Sequence, residues 1–411
     1  MLALLGGPPV RTRPFTSWPI FGAAEELRLL RTLRSGQWGR LQGREVAELE
    51  ERFAAMHGSR HAIAVVNGTV ALRVALLAAG IRADDEVIVP PYTFVSTASA
   101  VIESNAVPVF ADIDPHTFNL DPAAVRRALT PRTKAIIPVH FAGQPADMDA
   151  LTPIAREHGV TVIEDAAHAH GAKYRGRPAG SLGHAAAFSF QSSKNLTAGE
   201  GGIITTNDEG LAEACRSIHN CGRAPGRPWY EHHAISCNYR LGEFQGAVLN
   251  AQLDRLDEQT DTRDRNGRYL ASRLAGLPGI HPQLRTADCT RHSYHLFMLR
   301  IDADAFGAPR AAVLAALDAE GIPCSGGYAF PLPDQPLFRN LEFGPYAPAA
   351  RERLDYRERR YPASEAICRE SVWLEQSLLL GPCDDMDDIV RAFQKVYQYR
   401  DALSAADVQS R

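Results

Sequence analysis

Lys194 follows the apolar run Ala187-Phe188-Ser189-Phe190, with Ser192 and Ser193 before it and Thr197, Gly199, Gly201 and Gly202 after it. An amine that leaves a strand into such a loop is what a carbonyl cofactor needs to form an imine. Upstream, Asp165 closes the run Val162-Ile163-Glu164-Asp165. A carboxylate at the end of an apolar strand is costly unless it meets a cation or strong donors. A protonated pyridine nitrogen is such a partner, and Asp165 would keep that ring cationic and electron-accepting. Taken alone, Lys194 reads as a surface lysine and Asp165 as a cap for the turn at Ala166 to Gly171. Together they point to pyridoxal 5'-phosphate (PLP).

Other residues fit around that pair. Asn67-Gly68-Thr69 follows a core strand and opens a helix, so backbone N–H groups and the Thr69 hydroxyl can meet a phosphate at the positive helix end. Isolated, it is also an ordinary turn. Ser189 adds a second hydroxyl. His168 is placed over or beside the ring, and His170 fills the turn. A His-x-His pair raises the question of a metal, but spacing supplies no third ligand and no metal is expected. Tyr92 and Phe94, in Pro90-Pro91-Tyr92-Thr93-Phe94, are placed to stack on the ring or to pack in the core. Desolvation and a cationic cofactor should lower the Lys194 pKa and leave a neutral amine near pH 7. That amine serves a 1,3-proton shift first as base and then as acid.

The elements that must position these groups alternate. Helical periodicity covers Glu45 to His57, Val70 to Ala79 and Met148 to His158. Apolar, β-branched runs cover His61 to Val66, Glu86 to Val89, Val107 to Ala111, Lys134 to His140, Thr161 to Asp165, Ala185 to Phe190 and Gly202 to Thr206. Strands apolar throughout and joined by helices predict a mostly parallel sheet covered on both faces, with its chemistry on loops at the strand C-termini. Glu243 to Leu274 reads as a long connecting helix. A smaller α/β unit follows, with strands at Tyr294 to Ile301 and Ser371 to Leu379 and helices at Ala308 to Glu320 and Asp384 to Arg400. The Pro/Gly-rich stretch from Cys324 to about Ala349 is too irregular to place, and Ser404 to Arg411 should fray. The domain division expected is an N-terminal arm (1–44), a large cofactor-binding domain (45–275) and a small C-terminal domain (276–411).

With 411 residues, 45% hydrophobic and 22% charged, the chain can bury a large core. A net charge of −4 with scattered basic residues argues against nucleic acid as partner and for small molecules. Seven cysteines without a Cys-x-x-Cys fit a reducing cytoplasm rather than a disulfide framework. No apolar run reaches the ~18 residues of a membrane span, and no signal peptide is read at the start.

Five segments carry a resemblance: Asn67-Gly68-Thr69-Val70-Ala71-Leu72; Asp85 to Phe94; Glu164-Asp165-Ala166-Ala167-His168-Ala169-His170-Gly171; Ser189 to Gly202 around Lys194; and Asn238-Tyr239-Arg240-Leu241-Gly242-Glu243-Phe244-Gln245. In these the chain resembles the DegT/StrS-type aminotransferases, PLP enzymes of fold type I, from about Gly6 to Tyr397. The resemblance implies a mostly parallel seven-stranded sheet sandwiched by helices, with a smaller C-terminal α/β domain. It implies that Lys194 holds the cofactor aldehyde, Asp165 pairs with its ring nitrogen, His168 contacts it and Phe94 stacks on it. Gly68, Thr69 and Ser189 then bind the phosphate. Asn238 reaches the phosphate of the other subunit, which implies a homodimer with shared active sites.

L-glutamine or L-glutamate is the amino donor implied, and a keto-sugar or keto-cyclitol the acceptor. Gly6-Gly7-Pro8-Pro9-Val10-Arg11 and Trp38-Gly39-Arg40 are most similar to the branch that aminates scyllo-inosose-like ketones. The aromatising 3-amino-5-hydroxybenzoate synthases share the Asp165 to Gly171 segment and Cys221-Gly222-Arg223, but the sequence departs from them at Ser192-Ser193-Lys194-Asn195. A PLP-binding regulatory protein is the third, non-enzymatic reading. Candidate substrate contacts are Trp38, Tyr92, His140, Arg223 and Tyr328.

Overall fold

The computed structural model describes residues 1–224 and 226–404. Its thirteen strands are β1 (His61–Val65), β2 (Glu86–Val89), β3 (Val107–Phe110), β4 (Thr133–Ile136), β5 (Thr161–Asp165), β6 (Lys173–Tyr174), β7 (Arg177–Pro178), β8 (Ala185–Ser189), β9 (Gly202–Thr206), β10 (Ile280–Pro282), β11 (Cys289–Arg291), β12 (Leu296–Ile301) and β13 (Ser371–Glu375). Seven form the main sheet in the order β1-β9-β8-β5-β4-β2-β3. Only β9 runs against the others, pairing antiparallel with both β1 and β8. The pairs β2/β3, β2/β4, β4/β5 and β5/β8 are parallel. β2, β3, β8 and β9 are buried at every position, because helices cover both faces and leave no side of these strands to water.

Helix Gly68–Ala78 is capped by Asn67, whose side chain accepts from the Val70 N–H at 2.9 Å. It packs Ala71, Leu72, Val74 and Ala75 onto the sheet in a core shared with helix Ser96–Glu103. The 32-residue helix Glu243–Leu274 runs from the Glu45–Met56 helix to the C-terminal part of the chain. There β10, β12 and β13 form a second, antiparallel sheet. It is covered by helices Arg310–Ala319 and Cys383–Gln398 around a separate core of Leu299, Val313, Val372, Ile389 and Phe393. Leu2 joins that core, and buried Arg11 bridges Asp385 and Asp388 at 2.8 Å each. The first residues therefore dock on the C-terminal helix.

Several boundaries differ from expectation. The strand expected over Lys134 to His140 stops at Ile136, because Pro138 has no N–H to donate; its carbonyl accepts from Asp165 N at 2.9 Å. The strand expected from Tyr294 begins at Leu296, since Tyr294 has φ 43°. The expected strand Ser371 to Leu379 turns into a 3-10 segment, Gln376–Leu380. Helix Ala23–Ser35 lies where only an arm was expected. The Cys324 to Ala349 stretch is ordered by Leu332, Phe338 and Phe343, which pack with Phe110 and Tyr356 in the main core. Of the terminus expected to fray, residues 405–411 lie outside the described residues. No helix of the described residues is long and apolar enough to cross a membrane.

Candidate active site

Four strand ends and one helix start converge on a cavity of about 680 Å³. Asn67, Gly68 and Thr69 enter it after β1, Thr93, Phe94 and Ser96 after β2, Asp165 and His168 from β5, and Ser189 and Lys194 from β8. The C-terminal part closes it with His295, Leu296, Ser325, Tyr328, Trp373 and Gln376. Two glycines allow this convergence. A Cβ on Gly68 would lie 2.7 Å from the Ser189 Cβ, and one on Gly202 only 2.4 Å from the Asn67 backbone. Side chains there would push the helix start away from the strand that delivers Lys194.

Lys194 is half-buried, and desolvation lowers its pKa to about 8, against the raising pull of Asp165. Asp165 is 6% exposed, and burial raises its pKa despite the hydrogen bonds that oppose it. Thr97 Oγ1 donates to Asp165 Oδ2 at 2.7 Å, and the Ala167 N–H donates to Oδ1 at 3.2 Å. The Thr97 proton is thereby committed, so Thr93 Oγ1, 2.9 Å away, must donate to Thr97. No described residue forms a salt bridge with Asp165. A buried carboxylate supplied only with neutral donors matches a cationic ring nitrogen.

At the other wall, Thr69 Oγ1 and Ser96 Oγ lie 2.7 Å apart at the N-terminus of helix Gly68–Ala78, opposite Ser189. These hydroxyls and backbone N–H groups match a phosphate. Phe94 stands 58% exposed beside them, an aromatic face free to stack. The residues thus fit PLP. Lys194 would hold its aldehyde, Asp165 its ring nitrogen, and Gly68, Thr69, Ser96 and Ser189 its phosphate.

His168 accepts the Ala142 N–H at Nδ1 (3.3 Å), so its Nε2 carries the proton. Its ring lies 4.2 Å from that of His295. His295 Nδ1 donates to Asn195 Oδ1 (3.2 Å), whose Nδ2 is anchored on the Ser293 carbonyl (2.7 Å). Burial first, then neighbouring positive charge, holds both imidazoles well below their usual pKa. Both are therefore neutral near pH 7, one offering a donor and the other an acceptor.

Tyr328 lines the cavity as expected, whereas Tyr92 lies one layer behind it, its hydroxyl accepting from Trp373 Nε1 at 3.2 Å. His140 is corrected outright: it is fully buried outside the cavity. Its Nδ1 accepts the Ala146 N–H, so Nε2 donates to Glu164 at 2.7 Å. Glu164 in turn accepts N–H groups of Gly180, Leu182 and Gly183, which makes the pair a clamp on that loop. Trp38 and Arg223 also line no part of this cavity within one chain. Trp38 is exposed and donates to the Leu33 carbonyl, and Arg223 stacks on Trp229 at 4.2 Å in a separate arginine-lined cleft. Asn238 is exposed and likewise away from the cavity.

Reading along the sequence missed Thr97, Ser96, His295, Trp373 and Gln376. Thr93 and Thr97, four apart across a helix start, offered a local signal. The last three come from distant segments and had none. Substituting Thr97→Val should weaken cofactor binding about 10- to 100-fold, the worth of one hydrogen bond to a charged group. Titration of the cofactor-free variant with PLP measures this, and unchanged affinity would show that the threonine chain does not support Asp165.

A mostly parallel α/β sheet with this lysine, carboxylate and phosphate cup at its strand ends defines a PLP-dependent aminotransferase. Residues 21–394 match the model of the DegT/DnrJ/EryC1/StrS aminotransferase family, and the chain belongs to that family. It is 41% identical to an L-glutamine:2-deoxy-scyllo-inosose aminotransferase of Streptoalloteichus tenebrarius, over 98% of this chain and 99% of that one. It is 42% identical to a 3-amino-5-hydroxybenzoate synthase of Amycolatopsis mediterranei, over 89% and 93%. A crystal structure of 3-amino-5-hydroxybenzoic acid synthase superposes with a TM-score of 0.86 at 38% identity, covering 94% of this chain and all of that one.

Proposed function

We propose that this aminotransferase moves the amino group of L-glutamine or L-glutamate to a keto-cyclitol or keto-sugar of the scyllo-inosose kind, in aminocyclitol or amino-sugar biosynthesis. The observation that carries the reading is end-to-end similarity to an enzyme named for that donor and ketone. The cavity supports it chemically. His168, His295, Ser325 and Tyr328 all line it and supply both donors and acceptors, as a polyhydroxylated ring requires.

When bound, PLP supplies a cationic heteroaromatic ring that draws electron density from the substrate's reacting carbon. The chain does the rest. Lys194 Nζ, neutral above about pH 8, takes the proton and returns it one position away. The Thr93–Thr97 chain orients the Asp165 carboxylate, which would hold the ring nitrogen, and the close approaches at Gly68 and Gly202 set the backbone that would receive the phosphate.

The division into arm (1–44), large domain (45–275) and small domain (276–411) belongs to this proposal. So does a homodimer in which Asn238 serves the other subunit's phosphate. It is supported by the position of Asn238 away from its own cavity and by exposed Phe21, Leu27, Leu30, Trp229 and Tyr230. A cytoplasmic location is supported by seven unpaired cysteines.

Similarity to 3-amino-5-hydroxybenzoate synthase favours a second reading, an aromatising dehydratase. Incubation with glutamine and 2-deoxy-scyllo-inosose should consume both. An aromatic ultraviolet band formed from an aminodehydroquinate-type substrate instead would favour the second reading. Inertness toward glutamine, glutamate and alanine would favour a regulatory protein.

A further inference from the structure

Arg263, on the long helix Glu243–Leu274, is fully buried without a carboxylate in ion-pair distance among the described residues. Its Nε and Nη2 both donate to Gln376 Oε1, at 2.9 and 2.5 Å, and Nη1 has no partner. The nearest aromatic support is the Trp18 ring, 5.4 Å away. A desolvated cation facing only an amide oxygen is expensive unless an anion arrives to offset it. Desolvation accordingly brings its pKa down to about 9.

Gln376 begins the 3-10 segment after β13 and lines the cavity. Arginine has only donors, so the amide must turn its oxygen toward Arg263, and its NH₂ meets no acceptor among the described residues. The guanidinium also reaches the cavity electrostatically, since its charge helps hold His295 below its usual pKa. Of the cavity's acids, Asp165 faces the ring-nitrogen position, and Glu200 and Glu375 are exposed, where solvent and salt screen them. The phosphate end has its own donors on other elements. An unused donor backed by an unmatched positive charge therefore remains in the cavity wall that the C-terminal part supplies.

We propose that Gln376, polarised by Arg263, is the subsite for the carboxylate of the amino donor. It lets one cavity select a charged amino acid in one half-reaction and take a neutral polyol ketone in the other. This rests on the donor half of the function proposed above. Gln376 touches the substrate, and Arg263 is a positioning residue acting through it.

The test compares L-glutamine with 4-aminobutanamide, the same chain without its carboxylate, in the donor half-reaction of the PLP-loaded enzyme. Wild type should prefer glutamine, and Gln376→Leu should lower kcat/KM for glutamine about 10- to 100-fold while leaving the amine unchanged. Gln376→Glu keeps the volume and a partner for Arg263 but removes the donor, and should lose the same preference with its fold intact. Calorimetry with glutaramate, the donor without its amine, should show binding to wild type and not to either variant. Equal loss for both donors, or a retained preference in Gln376→Glu, overturns the subsite. Wild type inert toward every amino acid overturns the donor reading itself, so the two failures are distinguishable.

Discussion

Alanine at position 194 abolishes transamination and the visible absorbance of the bound cofactor. The chain has four lysines in all, and the other three are placed elsewhere. Lys134 is exposed, Lys173 lies on β6 outside the cavity, and Lys395 is paired with Glu320 at 2.7 Å. None can substitute for an amine at the end of β8. The proton-transfer role alone is worth on the order of 10²–10⁴-fold, and loss of the attachment point removes the remainder. The pH dependence follows from burial. Only the neutral amine attacks the aldehyde, so uptake of PLP by cofactor-free enzyme should accelerate as pH rises through about 8 and level off above it. Stopped-flow absorbance measures both effects, and uptake rates flat from pH 6 to pH 10 would contradict the lowered lysine pKa.

Asp165→Asn carries the second large effect. Asparagine keeps the size of the side chain and can still accept from Thr97, so packing survives. It lacks the charge that would keep the ring nitrogen protonated, and the chemical step should slow by on the order of 10²–10³-fold, as when a preorganised electrostatic partner is removed. The loss should fall mainly on the single-turnover rate of the donor half-reaction, with cofactor affinity reduced as well. A variant with a wild-type single-turnover rate would show that Asp165 only supports the loop at Ala166 to Gly171.

Much of the site was legible because its residues sit at punctuation marks. Asp165 and Lys194 each follow an apolar strand, and Asn67-Gly68-Thr69 sits where a strand yields to a helix. Local sequence reports such positions directly. The parallel sheet was legible for the same reason: β2, β3 and β8 are apolar at nearly every residue, as a doubly covered sheet requires. What escaped was set by tertiary packing. His140 closes the run Lys134 to His140 expected as a strand, but the partner that engages it, Glu164, lies one strand over. His295 and Gln376 reach the cavity from the second sheet, and no periodicity announces a contact between residues so far apart in the chain. The Cys324 to Ala349 stretch looked irregular because its apolar residues pack individually on Phe110 and Tyr356 rather than along one periodic face.

The central claim is that one amine, Lys194, carries the cofactor. Borohydride reduction of the PLP-loaded protein, followed by peptide mass spectrometry, tests it most directly. The expected result is a single modified peptide, with the cofactor mass on Lys194 and none on Lys134, Lys173 or Lys395. Modification of another lysine, or a protein that takes up no cofactor mass at all, would contradict the account.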